Sequence, residues 1–337
     1  MTFLSPLKNK IIFLYFLCTL ITFLPHMTQA YQSLITSKGA PSPLLRELFQ
    51  ALNLSSENII EMNTIAQNEF LRKPGEERWN MKEVPHEKEK MLPILEKLGV
   101  IHEVLPSSQM YESVDYIFIH GARVSRMQDR VKFFLTKVWP ELSEQTKKRV
   151  KVVFLSGDRK LDAALHEKED LFNPDSSKVH LRADWKKPST LIETENDAAR
   201  IIWDQMVSDK FLRDKILFVP ALQTQEGKRP TTKDTIKQWL NSFHTFHKNP
   251  NSLSPEYRSF WKDAPDLYKS RILAISNNPF IPYQDQVFKN TLAKEGFEHA
   301  SLETVGPEAD PETLIAVHLD NIARWLYELV GRLKEEK

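Results

Sequence analysis

Cysteine is almost missing from this chain: the only one among its 337 residues is Cys18. No disulfide can form within it, and a thiolate-held metal cluster is excluded. Glycine is scarce as well, with 9 in all, and neither GxxxxGK[ST] nor GxGxxG occurs. The GxSxG nucleophile elbow is also absent, so Ile119-His120-Gly121-Ala122 matches the oxyanion loop of lipase-type hydrolases without a serine to serve. No zinc spacing is found: His244 and His247 lie three apart near a helix end without a suitable acid, and no metal site is predicted. Charge of one sign is lacking too. Lys8 and Lys10 are two of the 46 Lys and Arg, set against 45 Asp and Glu, so the chain beyond Ala30 carries one more acid than base. A nucleic-acid binder shows a basic excess, and that partner class is set aside.

What is present begins with residues 1–30. Lys8 and Lys10 precede the apolar run 11–24, and Pro25 leads to Thr28-Gln29-Ala30, a small-residue cleavage site. This is the pattern of an export signal. Cleavage after Ala30 is expected, giving an exported protein, periplasmic or secreted, that meets a membrane only if the leader stays uncut. No later run is long enough to span a bilayer.

Five short apolar runs organise the rest: 115–120 within DYIFIHGARVSRMQDR, then 150–155, 215–219, 271–275 and 300–304. The first four each lead through a polar turn into helical periodicity. That alternation predicts an α/β fold, a Rossmann-like three-layer sandwich with a mostly parallel sheet of about five strands. Residues 31–110 read as helices, with Leu44, Leu45, Leu48 and Phe49 on one stripe after Ser42-Pro43, a break at Pro74-Gly75, and Gly99 closing a third segment. They are expected as an N-terminal helical layer on one side of the sheet. The core, 111–337, carries an insertion near 247–270 that should be ordered, since Tyr257, Phe260, Trp261 and Tyr268 are too apolar for a free linker.

Parallel strands deliver their carboxyl ends to one rim, where ligands of such sheets bind. HGAR, SGDR, RPTTKD and SNNP should share it. Arg123, Arg126 and Arg130, spaced by three and four, fall on one face of a helix that starts beside Gly121; guanidinium groups and helix dipole together attract an anion. After the second strand come Ser156 and Gly157, the glycine expected at positive φ, followed by Asp158 and Arg159 turned toward the crevice. Thr190 with Glu193, or Thr194 with Asp197, makes a capping box, which leaves Glu195 and Asn196 for a ligand; Thr231 with Asp234 makes another and leaves Arg229. Ser276 and Asn277 close the rim. Asp158 and Glu195 are the candidate catalytic carboxylates, while Arg123, Arg159 and Arg229 are expected to line one anion site.

The order of these pieces carries a resemblance. A strand ending in a glycine turn followed by arginine, then FLSGDR, then ETENDAA, then ILAISNNPFIPYQDQVFKNTLAKEGF resembles the ElyC/SanA/YdcF family of bacterial envelope proteins, the domain of unknown function 218, over residues 112–305. Gly121, Ser156, Gly157, Thr194, Glu195 or Asn196, Ser276 and Gly296 fall on that family's positions. Where the family has a histidine and an arginine after its last motif strand, this chain has Asn277-Asn278-Pro279. The resemblance implies a Rossmann-like fold and a role in homeostasis of envelope polysaccharide or peptidoglycan, without an established reaction.

The expected function is binding of an anionic small molecule or an envelope-lipid or sugar phosphate; in an enzymatic form it would be a hydrolase or transferase. The alternative is a non-catalytic envelope or host-directed interaction protein that keeps the fold without the chemistry, which the Asn-Asn-Pro turn favours. The sequence assigns no cofactor. Exported material should begin at Tyr31, which intact-mass spectrometry reads directly; an unprocessed N-terminus recovered with membranes would make the leader an anchor instead.

Overall fold

The computed structural model describes residues 31–73, 76, 78–84, 88–176, 178–222 and 229–335; the leader, the Pro74-Gly75 break and residues 223–228 before Arg229 lie outside them. Three helices come first, α1 (Pro43–Ala51), α2 (Ile59–Glu69) and α3 (Lys88–Leu98). Ser42 Oγ accepts from the Leu45 N–H and Asn58 from the N–H groups of Ile60 and Glu61, so the first two helices start on side-chain caps. Gly99, at φ 78°, supplies the left-handed residue that ends α3. After α4 (Ser108–Ser113) the chain runs through β1 (Tyr116–His120), α5 (Val124–Phe133), α6 (Glu144–Arg149), β2 (Lys151–Gly157), α7 (Glu167–Phe172), α8 (Glu195–Met206), α9 (Lys210–Arg213) and β3 (Ile216–Ala221). It continues with α10 (Thr232–Lys248), α11 (Pro255–Lys262), β4 (Arg271–Ile275), α12 (Ile281–Lys294), β5 (Ser301–Val305) and α13 (Ile315–Glu335).

The sheet has the order β3-β2-β1-β4-β5, and every neighbouring pair is parallel. Every residue of β1 is buried, as a strand covered on both faces requires. Its side chains divide by alternation: Ile117 and Ile119 join Val124, Val131 and Ile202 of α5 and α8, whereas Tyr116 and Phe118 join Trp239 and Phe288 of α10 and α12. Phe118 meets Trp239 edge-on at 4.6 Å, and truncating so enclosed an indole costs about 3–5 kcal/mol. The result is the three-layer Rossmann-like sandwich read from the apolar runs. The insertion is ordered: Phe260 and Trp261 on α11 are buried, and Trp261 Nε1 donates to Ser242 Oγ at 2.9 Å.

Two expectations change. The N-terminal helices do not lie on the sheet. Their core is shared with α13, and its buried members, such as Leu45, Met62 and Leu95 beside Leu319 and Leu326, include no strand residue. Helices of the core already cover both faces of the sheet, so the stripe of α13 is the surface left to them. Among the described residues no helix is long and apolar enough to cross a membrane.

Gly157 also differs from expectation. It is the last residue of β2, paired with Ala221, and is not among the positive-φ residues. A Cβ there would lie 3.5 Å from Pro230, an ordinary contact. Close approach does require glycine at Gly121, whose Cβ would fall 2.1 Å from Glu195 Oε1, at Gly306, whose Cβ would fall 2.0 Å from the Ser276 carbonyl oxygen, and at Gly99, whose Cβ would fall 2.7 Å from the Tyr31 Cα. Gly306→Ala should therefore lower the melting temperature by about 3–8 °C through overpacking, while Gly157→Ala stays within about 1 °C. Equal shifts in a thermal melt would show that the two strand ends do not differ as described.

Candidate anion site

The chain builds β1, β2 and β3 outward in one direction and then returns to place β4 and β5 on the other side of β1. Between β1 and β4 the outgoing loops diverge, the position at which open parallel sheets hold ligands. A cleft of about 1130 Å³ opens there, walled by the β1–α5 turn, the start of α10, the β4–α12 turn and residues 307–314.

On its β2 side the rim is closed by an ion network. Glu195 opens α8, where the Thr194–Asp197 capping box fixes the helix start. Its Oε1 accepts from the Gly157 N–H at 2.9 Å and its Oε2 from Arg159 Nε at 2.7 Å. Arg159 turns its other nitrogens to Glu167, at 2.6 and 2.7 Å, and donates to the Ala122 carbonyl at 3.0 Å. Glu167 in turn accepts from the N–H groups of Val124 and Asp162, so it caps α5, whose N-cap residue Arg123 makes no side-chain capping bond. Burial opposes the charge on Arg159, but its bonds and attraction to the two carboxylates more than offset this and raise its pKa. Burial likewise pushes Glu167 up, and Arg159 with the two backbone donors holds it below the usual carboxylate range. Two carboxylates share one guanidinium, and Glu195, with burial dominant, stays above that range.

This network corrects several predicted roles. Both oxygens of Glu195 and every nitrogen of Arg159 are engaged inside the protein, so neither is a rim group waiting for a ligand. Ser156 Oγ donates to Asn196 Oδ1 at 2.9 Å, which occupies that pair with each other. Thr194 is consumed as a cap, and neither it nor Asp158 is among the cleft-lining residues. Of the three arginines expected in one anion site, Arg123 and Arg229 do line the cleft; Arg159 lines it with its charge already matched.

The β1–β4 side is different. Arg130 is 2% exposed, yet among the described residues its hydrogen bonds go to neutral acceptors: Asn277 Oδ1 at 2.7 and 3.0 Å, the carbonyls of His120 and Gly121 at 2.7 and 2.9 Å, and Ser276 Oγ at 3.5 Å. Burial lowers its pKa to about 10 against the attraction of Glu195 and Asp129. One turn earlier, Arg126 lies with its guanidinium 4.3 Å from the centre of the Phe280 ring. Burial, then the charges of Arg123, Arg130 and Arg78, push its pKa down to about 9. Arg78, from the N-terminal segment, stands 4.7 Å from the same ring and shares Asp320 with Arg324. Eight arginines line the cleft among the described residues; Arg159 is paired with Glu167 and Glu195, and Arg78 and Arg324 share Asp320, whereas Arg130 and Arg126 are held by neutral acceptors and an aromatic ring. The exposed Glu308, Asp310 and Glu312 sit on the opposing loop.

No protein-family model, curated protein or solved structure matches the chain. The site is therefore read from its own chemistry. It offers a positive floor, a helix start and an aromatic plate, and among the described residues no cluster of His, Cys, Asp or Glu is placed to hold a metal. Sequence reading left out Arg78, Phe280 and Glu167. Only the acidic run HEKED carried any signal, and it looks like a solvated helix start.

Glu167 gives a pH test. Its folded pKa is depressed, so its stabilisation is fully present above the ordinary value of 4.5 and is lost as pH falls through the lower folded value. Glu167→Gln should lose about 3 kcal/mol at pH 7, as expected when one partner of a buried pair is removed. The gap to the parent should narrow below pH 4.5. A gap in urea-melt stability that is constant from pH 7 to pH 3 would remove the ion network from this account.

Proposed function

We propose that this chain is a Rossmann-like protein that binds an anionic small molecule or an envelope-lipid or sugar phosphate in the crevice between β1 and β4. The observation that carries the reading is Arg130, a buried guanidinium held by neutral acceptors one helical turn from Arg126, whose proton affinity is lowered by burial and then by the charges of Arg123, Arg130 and Arg78. A cation so placed projects an unbalanced field into the cleft, and an anion there would relieve the mutual repulsion of the arginines. Arg126 is the group best placed to touch it, with the first turn of α5 alongside.

Binding is favoured over turnover because the carboxylates first assigned to chemistry are absorbed into the rim network or set away from the cleft. Location in the bacterial envelope rests on the export-signal pattern and on the resemblance to the ElyC/SanA/YdcF family, and it belongs to the same proposal.

Titration calorimetry at low salt with inorganic pyrophosphate tests the reading. The parent should bind, and Arg126→Gln should weaken binding about tenfold or more, the usual loss of one charged hydrogen bond. Absence of binding, or equal binding by the variant, would overturn it.

A further inference from the structure

The arginines occupy the α5 side of the crevice; its other side, enclosed by β1, β4, α10 and α12, holds different chemistry. His120 ends β1 on the face of Tyr116 and Phe118, with its ring 5.9 Å from that of Phe288. It is 2% exposed, yet the residue lines the cleft, and its Nε2 meets no hydrogen-bond partner among the described residues. Its polar surroundings are satisfied. Ser276 follows Ile275, the register partner of Ile119, and so lies beside His120; its Oγ donates to Gln284 Oε1. Gln284 Nε2 donates to Thr232 Oγ1 at 3.2 Å, and Thr235 Oγ1 donates to the Thr232 carbonyl at 2.8 Å. Among the described residues Nε2 of His120 is left without a partner, as are Trp239 Nε1 and Asp285 Oδ1 on the flanking helices, but of these residues His120 alone lines the cleft. A buried polar atom without a partner in a native chain calls for one that completes it.

Resting on the anion-binding reading above, we propose that His120 forms a hydroxyl-recognising subsite beside the arginines, so that the ligand is a phosphate ester of a polyhydroxy compound. The phosphate lies at Arg126 with the Arg130 charge beneath it, and a ligand hydroxyl hydrogen-bonds His120 Nε2. The two halves are joined through one residue, because the His120 carbonyl accepts from Arg130 Nη1 at 2.7 Å while its ring lies on the Phe288 side of the sheet. Burial, then the Arg130 charge, lowers the His120 pKa to about 3, so the ring is neutral at physiological pH. A neutral imidazole presents one donor and one acceptor, and a hydroxyl can answer either. On this side of the crevice Gln284, Thr232 and Thr235 are already engaged in bonds of their own, which leaves the imidazole as the group offered to a ligand hydroxyl.

The test compares glucose 1-phosphate with cyclohexyl phosphate, an ester of similar size without ring hydroxyls, by calorimetric titration of the whole chain. The parent should prefer glucose 1-phosphate by about fivefold to tenfold, the worth of one hydrogen bond. His120→Leu should abolish that preference while holding cyclohexyl phosphate within about twofold of the parent, since the arginines are untouched. Equal affinities in the parent, or a preference that persists in His120→Leu, would overturn the subsite and leave the anion reading standing. Failure of both esters to bind would remove both. Should the variant not fold, ¹⁵N spectra of the parent decide: glucose 1-phosphate, and not cyclohexyl phosphate, should move the ring-nitrogen signals of a histidine that stays neutral at pH 5, and unmoved signals overturn the inference. Sedimentation with phosphatidylglycerol vesicles separates two sources of the same chemistry. Cosedimentation displaced by glucose 1-phosphate supports a lipid headgroup, whereas glucose 1-phosphate binding without cosedimentation supports a soluble ester.

Discussion

The guanidinium of Arg159 decides where the rim of this protein ends and where its open crevice begins. Buried between Glu167 and Glu195, it joins the end of β2 to the starts of α5, α7 and α8. Removing it would leave two desolvated carboxylates without the cation they share. With it in place, the backbone donors at Gly157, Val124 and Asp162 are all satisfied from inside. The carboxylate that caps α5 also answers part of its dipole. Attraction for an anion then has to come from the arginines further along that helix.

Those arginines are held by contrasting means. Arg159 has acids at bonding distance; Arg130 has carbonyls and an amide; Arg126 has an aromatic face. Each arrangement tolerates burial of a positive charge, but only the first neutralises it. The buried cation at the β2 edge of the crevice is thus answered by acids, whereas those towards β4 are answered by neutral acceptors and an aromatic face, a contrast laid out by which groups stand at each strand end.

The alternation of apolar runs and helical stripes was enough to read the sheet, because each strand is buried on both faces and each helix on one. The capping boxes at Thr194 and Thr231 were equally plain, since a cap is settled within four residues. The rim was not legible in the same way. Arg130 is buried because Asn277, 147 residues later, places an amide oxygen against it. Nothing around Arg130 in the sequence distinguishes it from the solvated arginine its spacing suggests. Glu195 looked spare by the arithmetic of capping, and it is engaged only because the fold sets Gly157 and Arg159 beside it. The same holds for the glycines: Gly121 and Gly157 both end strands, and the tight one is known only once Glu195 occupies the space its Cβ would take.

Arg78 belongs to the N-terminal segment but reaches across to Phe280 and Asp320 at the edge of the crevice, and Asp320 also accepts from the Arg72 N–H. The early helices therefore supply part of the lining and part of the electric field, on top of the apolar cover they give α13. A fragment cut at residue 111 would keep every strand of the sheet and still be a different receptor, with one wall open to water and a buried aspartate left with fewer cations to answer it.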